Sequence, residues 1–202
     1  DLETYSSDPS KYPKGGLDPH IGSIRLINLA INDPDGDTIE GGTKAFLIDC
    51  IACPSWTELL RPVFSDPQIT KIAHNAKFDL KFLMKEGIEV EHIFDTMLAA
   101  HVSGRKAFGL KALALECLNQ ELVPITDLIG TGRKQVTMAQ VPIEKAAEYA
   151  VMNPAASTTS ASASSTSAAG TSSVASSGAD SSSAITSSAT TLIRVLISSA
   201  VN

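Results

Sequence analysis

The chain has 202 residues, 43% of them hydrophobic, and 16 basic against 22 acidic residues leave a net charge of −6. That length suits one domain, or one domain with an appendage, and the acidic balance excludes a protein that binds its partners through bulk positive charge. No stretch approaches 18 consecutive apolar residues, and no basic segment precedes an apolar one, so neither a transmembrane helix nor a signal peptide is expected. Three cysteines make no disulfide framework, and a reduced, intracellular setting is the simplest expectation.

Asp1 opens the chain without a Met, and the sequence reads as a fragment of something longer. Ser23–Ile31 is apolar and β-branched, which predicts a buried strand. Asp33-Pro34-Asp35-Gly36-Asp37 is a turn cluster, and Lys44–Asp49 returns as the second strand of a hairpin. The turn imitates a calcium loop, but its glycine stands fourth rather than sixth and Lys44 takes the place of the twelfth-position Glu. Cys50 and Cys53 form a Cys-x-x-Cys without the second pair that a structural zinc site needs, so packing or a loop accounts for them. The four histidines share no metal-ligand spacing.

Ser55-Trp56-Thr57-Glu58 is a capping box opening a helix through Phe64. Ile69–Ala73 predicts a strand, Ala76–Glu86 a helix stopped by Gly87, Ile88–Val90 a short strand and Thr96–Val102 a helix. Leu110, Leu113, Ala114, Cys117 and Leu118 share one helical face, and Pro142 suits the first turn of a helix from Ile143 to at least Met152. Strands come first in a meander and then alternate with helices, so the fold class is α/β, a mixed β-sheet flanked by helices. From Ala155 to Thr191 every residue except Val174, Asp180 and Ile185 is Ser, Ala, Thr or Gly. Residues 154–202 therefore read as a low-complexity linker or a run of unidentified side chains, apart from the folded domain at 1–153.

Chemistry concentrates in a few positions. Asp1 and Glu3 stand at i and i+2, a spacing that puts both on one face of a strand, where like charges are unfavourable without a cation or proton between them. Asp79 follows on a helix just after a strand, within His74-Asn75-Ala76-Lys77-Phe78-Asp79. Asn153 lies one helical turn after Tyr149, so the two face the same way. Oxygen ligands from a strand and two helices suit a hard divalent cation, Mg²⁺ or Mn²⁺, and a pair of such ions is the usual clamp for phosphodiester hydrolysis.

These motifs resemble the DEDD 3′–5′ exonucleases of the tyrosine subclass, which have a ribonuclease-H-like fold. Asp1-Leu2-Glu3 matches their strand-borne Asp-x-Glu, Asn75 to Asp79 their Asn-x-x-x-Asp, and Tyr149 to Asn153 their Tyr-x-x-x-Asp with Asn in place of the last Asp. The stretch Asp127–Thr137, with Ile129-Gly130-Thr131-Gly132 and Gln135, followed by Val141–Ala150, resembles the proofreading domain of family A DNA polymerases, bacterial DNA polymerase I type. Gly109–Leu113 also resembles ribonuclease D, and the apolar fragment Thr191–Ile197 faintly resembles the start of a polymerase domain.

The resemblance implies that Asp1, Glu3 and position 153 hold one ion. Asp1 bridges to a second ion, which Asp79 reaches directly or through water. It implies that Tyr149 orients the attacking water and that Asn75 positions the substrate or the second motif. Lys77, Arg105 and Arg133 are candidate contacts to a single-stranded DNA 3′ end; Arg133 and Lys134 beside Gly130 and Gly132 suit a phosphate. Three readings compete: a proofreading exonuclease covalently linked to a polymerase domain, a free-standing ribonuclease D-like exoribonuclease, and a degenerate domain that binds nucleic acid without cutting. No membrane partner is expected.

Overall fold

The computed structural model describes residues 1–32, 43–132 and 135–150. The turn at 33–37, Arg133, Lys134, Asn153 and residues 154–202 lie outside the described residues.

Three strands form an antiparallel meander: β1 (Leu2–Ser6), β2 (Gly22–Asn32) and β3 (Thr43–Asp49), in the order β1-β2-β3. A 3-10 turn, Gly15–Leu17, interrupts the connection from β1 to β2. Helix α1 (Trp56–Phe64) leads to β4 (Lys71–Ala73), α2 (Ala76–Lys85) and β5 (Ile93–Asp95), with β4 and β5 paired in parallel. Helices α3 (Thr96–Val102), α4 (Leu110–Leu118), α5 (Ile125–Ile129) and α6 (Ile143–Ala150) follow. Strands of both senses flanked by helices make the α/β class expected; among the described residues they are bonded as two sheets rather than one.

Residue pairing between β1 and β2 slips once. Glu3 pairs with Leu26 but Thr4 pairs with Ile24, so Arg25 is an extra residue, a β-bulge. The bulge inverts the side-chain alternation of β2. Ile24 and Ile27 face one core with Leu2, Trp56, Leu60, Phe64, Phe82, Leu83 and Ile88. Leu26 faces another with Met138, Val141 and Ala146, backed by Tyr5 and Ile143. Each side of the meander thus carries its own apolar layer. Arg25 is buried and ion-pairs with Asp49, the last residue of β3. The Asp49 carboxylate also accepts from the N–H groups of Ile51 and Ala52, at 3.0 and 3.1 Å, and so holds the Cys50–Cys53 turn in place. Both cysteines are free and pack against the first core, and burial pushes the Cys50 thiol up to about 12, which leaves it unreactive.

Two local expectations are corrected. Ser55 does take the N-cap position of α1, but no capping box forms. Its backbone, at φ −83° and ψ 8°, is not extended, and its hydroxyl lies 3.8 Å from the Cys53 sulfur. Ile88–Val90 is not a strand. The Ile88 N–H donates to the Leu83 carbonyl at 2.9 Å, closing α2, and the strand that pairs with β4 starts at Ile93.

Candidate active site

Helix α2 buries Ala76, Asp79, Phe82 and Leu83, so Asp79 occupies a position on the stripe that an apolar residue would normally fill. On β1, Leu2 turns into the first core, and the alternation of the strand sends Asp1 and Glu3 to the other face. Glu3 and Asp79 are 6% and 7% exposed, burial at which carboxylates are rarely found without a partner. Both line a cavity of about 410 Å³, together with Asp1, Asn28, His74, Asn75 and Tyr149, over a floor of apolar side chains that includes Leu29, Ile72 and Phe78. Lys77 and Arg105 are not in this lining. Lys77 is exposed on α2, and Arg105 donates to Glu116 at 2.6 Å.

The electrostatics of the cavity are those of charges held out of water. Burial pushes the Glu3 carboxyl up to about 7; the N-terminal ammonium of Asp1 opposes this and Asp79 adds to it. Burial likewise pushes Asp79 up to about 6, against the ammonium and a backbone hydrogen bond from Leu2. The ammonium is itself lowered by burial and raised by both carboxylates. Buried oxygens of this kind suit a hard divalent cation, which would relieve the cost of their charge. The described residues alone do not close a site, because no three of their His, Cys, Asp and Glu side chains are gathered closely enough to hold a metal ion. Asn153, the fourth expected ligand, lies outside them.

The turn that delivers Asn75 is built by a residue the sequence reading passed over. Asn75 has a left-handed backbone, φ 60° and ψ 47°, and its side chain caps nothing. The cap comes from Asp95, at the end of β5. One carboxylate oxygen accepts from the N–H of Asn75 at 3.1 Å, Met97 at 2.8 Å and Leu98 at 3.3 Å; the other accepts from Ala76 at 2.9 Å. Asp95 therefore caps α2 and α3 together, and positions the turn that carries His74 and Asn75. The one readable signal was an Asp directly before the helix that starts at Thr96. His74 was missed as well. The Thr96 hydroxyl donates to the Ala73 carbonyl at 3.2 Å, so the His74 Nδ1–H donates to that hydroxyl at 2.9 Å and Nε2 is left as an acceptor. Burial lowers the His74 pKa, which favours the neutral ring.

A family model described as 3′–5′ exonuclease matches residues 26–153, a span that takes in Asn75, Asp79, Tyr149 and Asn153 and stops short of Asp1 and Glu3. The chain belongs to the 3′–5′ exonuclease family. It is 47% identical over 103 residues to a DNA polymerase I of Chloroflexus aurantiacus, covering 50% of this chain and 11% of that protein. It is 36% identical over 94 residues to the protein RRP6-like 3 of Arabidopsis thaliana, covering 46% of this chain and 9% of that one. The chain thus spans about a tenth of the length of these relatives. Among solved structures, the catalytic core of RRP6 from Trypanosoma brucei superposes with a TM-score of 0.57 at 18% identity, over 96% of this chain and 45% of that one, a likeness of fold. Among the described residues no helix is long and apolar enough to cross a membrane.

Proposed function

We propose that residues 1–153 are a 3′–5′ exonuclease domain that removes nucleoside 5′-monophosphates from DNA 3′ ends, in the proofreading position of a family A DNA polymerase, with residues 154–202 as the connection onward. The observation that carries this reading is the pair of buried carboxylates, Glu3 and Asp79, facing one cavity with Asp1, Asn75 and Tyr149.

Asp1, Glu3, Asp79 and position 153 are the residues that would hold Mg²⁺ or Mn²⁺. When bound there, the ions supply Lewis acidity at the phosphorus and lower the pKa of the attacking water. The protein's own part is orientation and exclusion. Tyr149, which lines the cavity, aligns the attacking water through its phenol oxygen. Asn75, exposed and in the cavity lining, holds the terminal nucleotide. The apolar floor keeps bulk water out, which strengthens every polar contact within. An Asn at 153 offers a neutral oxygen where a carboxylate would add a charge, so this chain holds its cations less tightly than its Asn153→Asp variant would.

The test is shortening of 5′-labelled single-stranded DNA and RNA in Mg²⁺. The expected result is stepwise loss from the DNA 3′ end with nucleoside 5′-monophosphate as product, abolished by Asp79→Asn and raised by orders of magnitude by Asn153→Asp. Faster shortening of RNA would favour the ribonuclease alternative, to which the RRP6-like relative gives weight. If neither the parent nor Asn153→Asp shortens either strand, the chain is the non-cutting binding domain.

A further inference from the structure

Asn28 of β2 is 2% exposed, and neither the oxygen nor the nitrogen of its side-chain amide has a hydrogen-bond partner among the described residues. Buried side-chain amides are nearly always paired, so an orphan of both kinds calls for an explanation. Among the described residues, the two others with buried unpaired atoms differ from it. Arg25 retains its ion pair with Asp49 and lacks a partner only at Nε, Ser6 packs beside Gly15, and neither lines the cavity; Asn28 does.

Its direction follows from the strand pairing. The Asn28 N–H donates to the Asp1 carbonyl at 2.9 Å, and the Asp1 ammonium donates to the Asn28 carbonyl at 3.1 Å, so the two residues stand directly opposite each other. Opposed residues of an antiparallel pair share a face. The next partners on that face are Glu3 and Leu26. Asn28 therefore projects from the neighbouring strand onto the acidic side of β1. An amide there supplies what carboxylates lack: it donates two N–H bonds, its oxygen accepts one from water, and it adds no charge to a cluster already crowded with it.

We propose that Asn28 is a positioning residue of the acidic site, whose amide N–H holds the Asp1 carboxylate toward the cavity when the site is filled. Carboxylates that bind cations are usually oriented by such a donor, and removing it weakens the ion's binding although the donor never touches the ion. The inference rests on the proposed role of Asp1, Glu3 and Asp79 as cation ligands.

Asn28→Leu tests it, since leucine keeps the branched shape and deletes both polar atoms. Three quantities are measured on the whole chain: the melting temperature without metal, Mn²⁺ affinity by calorimetry, and kcat and KM on single-stranded DNA. The expected result is an unchanged or raised melting temperature, because two orphan atoms leave the interior, with Mn²⁺ affinity weaker by ~10–100-fold and kcat lowered at constant KM. Asn28→Ala serves if the leucine variant does not fold, and the same loss of Mn²⁺ affinity is expected. Unchanged Mn²⁺ affinity would overturn the proposal. A melting temperature lowered by several degrees in both variants would also overturn it, marking Asn28 as an ordinary part of the fold. If the parent itself binds no Mn²⁺, the ligand reading fails first and the role of Asn28 falls with it.

Discussion

Asp95→Ala removes one carboxylate and with it four backbone hydrogen bonds at the starts of two helices. Helix caps contribute about 0.5–2 kcal/mol each, so the loss of two should cost about 1–4 kcal/mol. For a folded region of this size each kcal/mol lowers the melting temperature by roughly 2–4 °C, which predicts a fall of about 2–16 °C. Asp95→Asn gives a finer test. Its amide oxygen can still accept from Asn75, Met97 and Leu98, while its NH₂ group meets the Ala76 N–H, donor against donor. The charge attracted to two helix N-termini is also lost. About half the alanine penalty is expected. Thermal melts give the total, and amide hydrogen exchange locates it: protection should drop at Asn75, Ala76, Met97 and Leu98 before it drops in β2. An alanine variant that melts within 1 °C of the parent, or one whose exchange quickens evenly along the chain, would refute the shared cap. Glu116→Ala is the control, because its bond to Arg105 is partly exposed and worth at most about 1 kcal/mol.

Asn75 separates a backbone role from a side-chain role. Asn75→Gly keeps the left-handed turn and should leave the melting temperature within 2 °C while DNA shortening falls; Asn75→Ala should lose activity and also about 1 kcal/mol of stability, read from urea midpoints. The raised carboxyls give a pH dependence of definite sign. Glu3 and Asp79 hold their protons to about 7 and about 6 in the folded state, against 4.5 and 3.8 ordinarily. The folded state is therefore the better proton binder in that window, and metal-free stability is greatest below about pH 4 and declines as pH rises through 6 and 7. Glu3→Gln should match the parent at pH 4 and exceed it at pH 8 by about 3 kcal/mol in urea titrations; equal stability at pH 8 would contradict this. With a net charge of −6, and with Lys77, Arg105, Arg133 and Lys134 as the candidate phosphate contacts, the log–log salt slope of single-strand binding should be no steeper than about −3; a slope beyond −4 would count against it.

What could be read from the sequence depended on how local the cause was. α3 has the bounds expected for it and α4 spans the stretch that its periodicity marks, because each buries one face of a continuous segment. Asp79 was legible through its motif, and the structure adds the physical oddity behind it, a carboxylate on a helix's buried stripe. Asn28 was hidden inside a run read as a buried strand, where one polar residue among Leu26, Ile27, Leu29 and Ile31 carries no visible direction. The double cap by Asp95 was illegible for a different reason: half of its partners lie 19 and 20 residues upstream and meet it only through the parallel pairing of β4 with β5. Ile88, fully buried and flanked by Val90, looks like a strand until its N–H is seen to finish the preceding helix.

The extra residue in β2 makes the strand unevenly tolerant of length change. Deleting Arg25 alone would restore a regular ladder and leave Ile24 and Leu26 on the faces they now occupy, at the cost of stranding Asp49. Deleting Leu26 instead would let Arg25 slide into its place opposite Glu3, so Asn28 would stay opposite Asp1 and the damage would fall on the second core, where a cation would replace the apolar partner of Met138, Val141 and Ala146. The bulge therefore works as slack: a chain one residue shorter at 25 or 26 keeps its acidic face, and only the second core registers whether it was the arginine or the leucine that went.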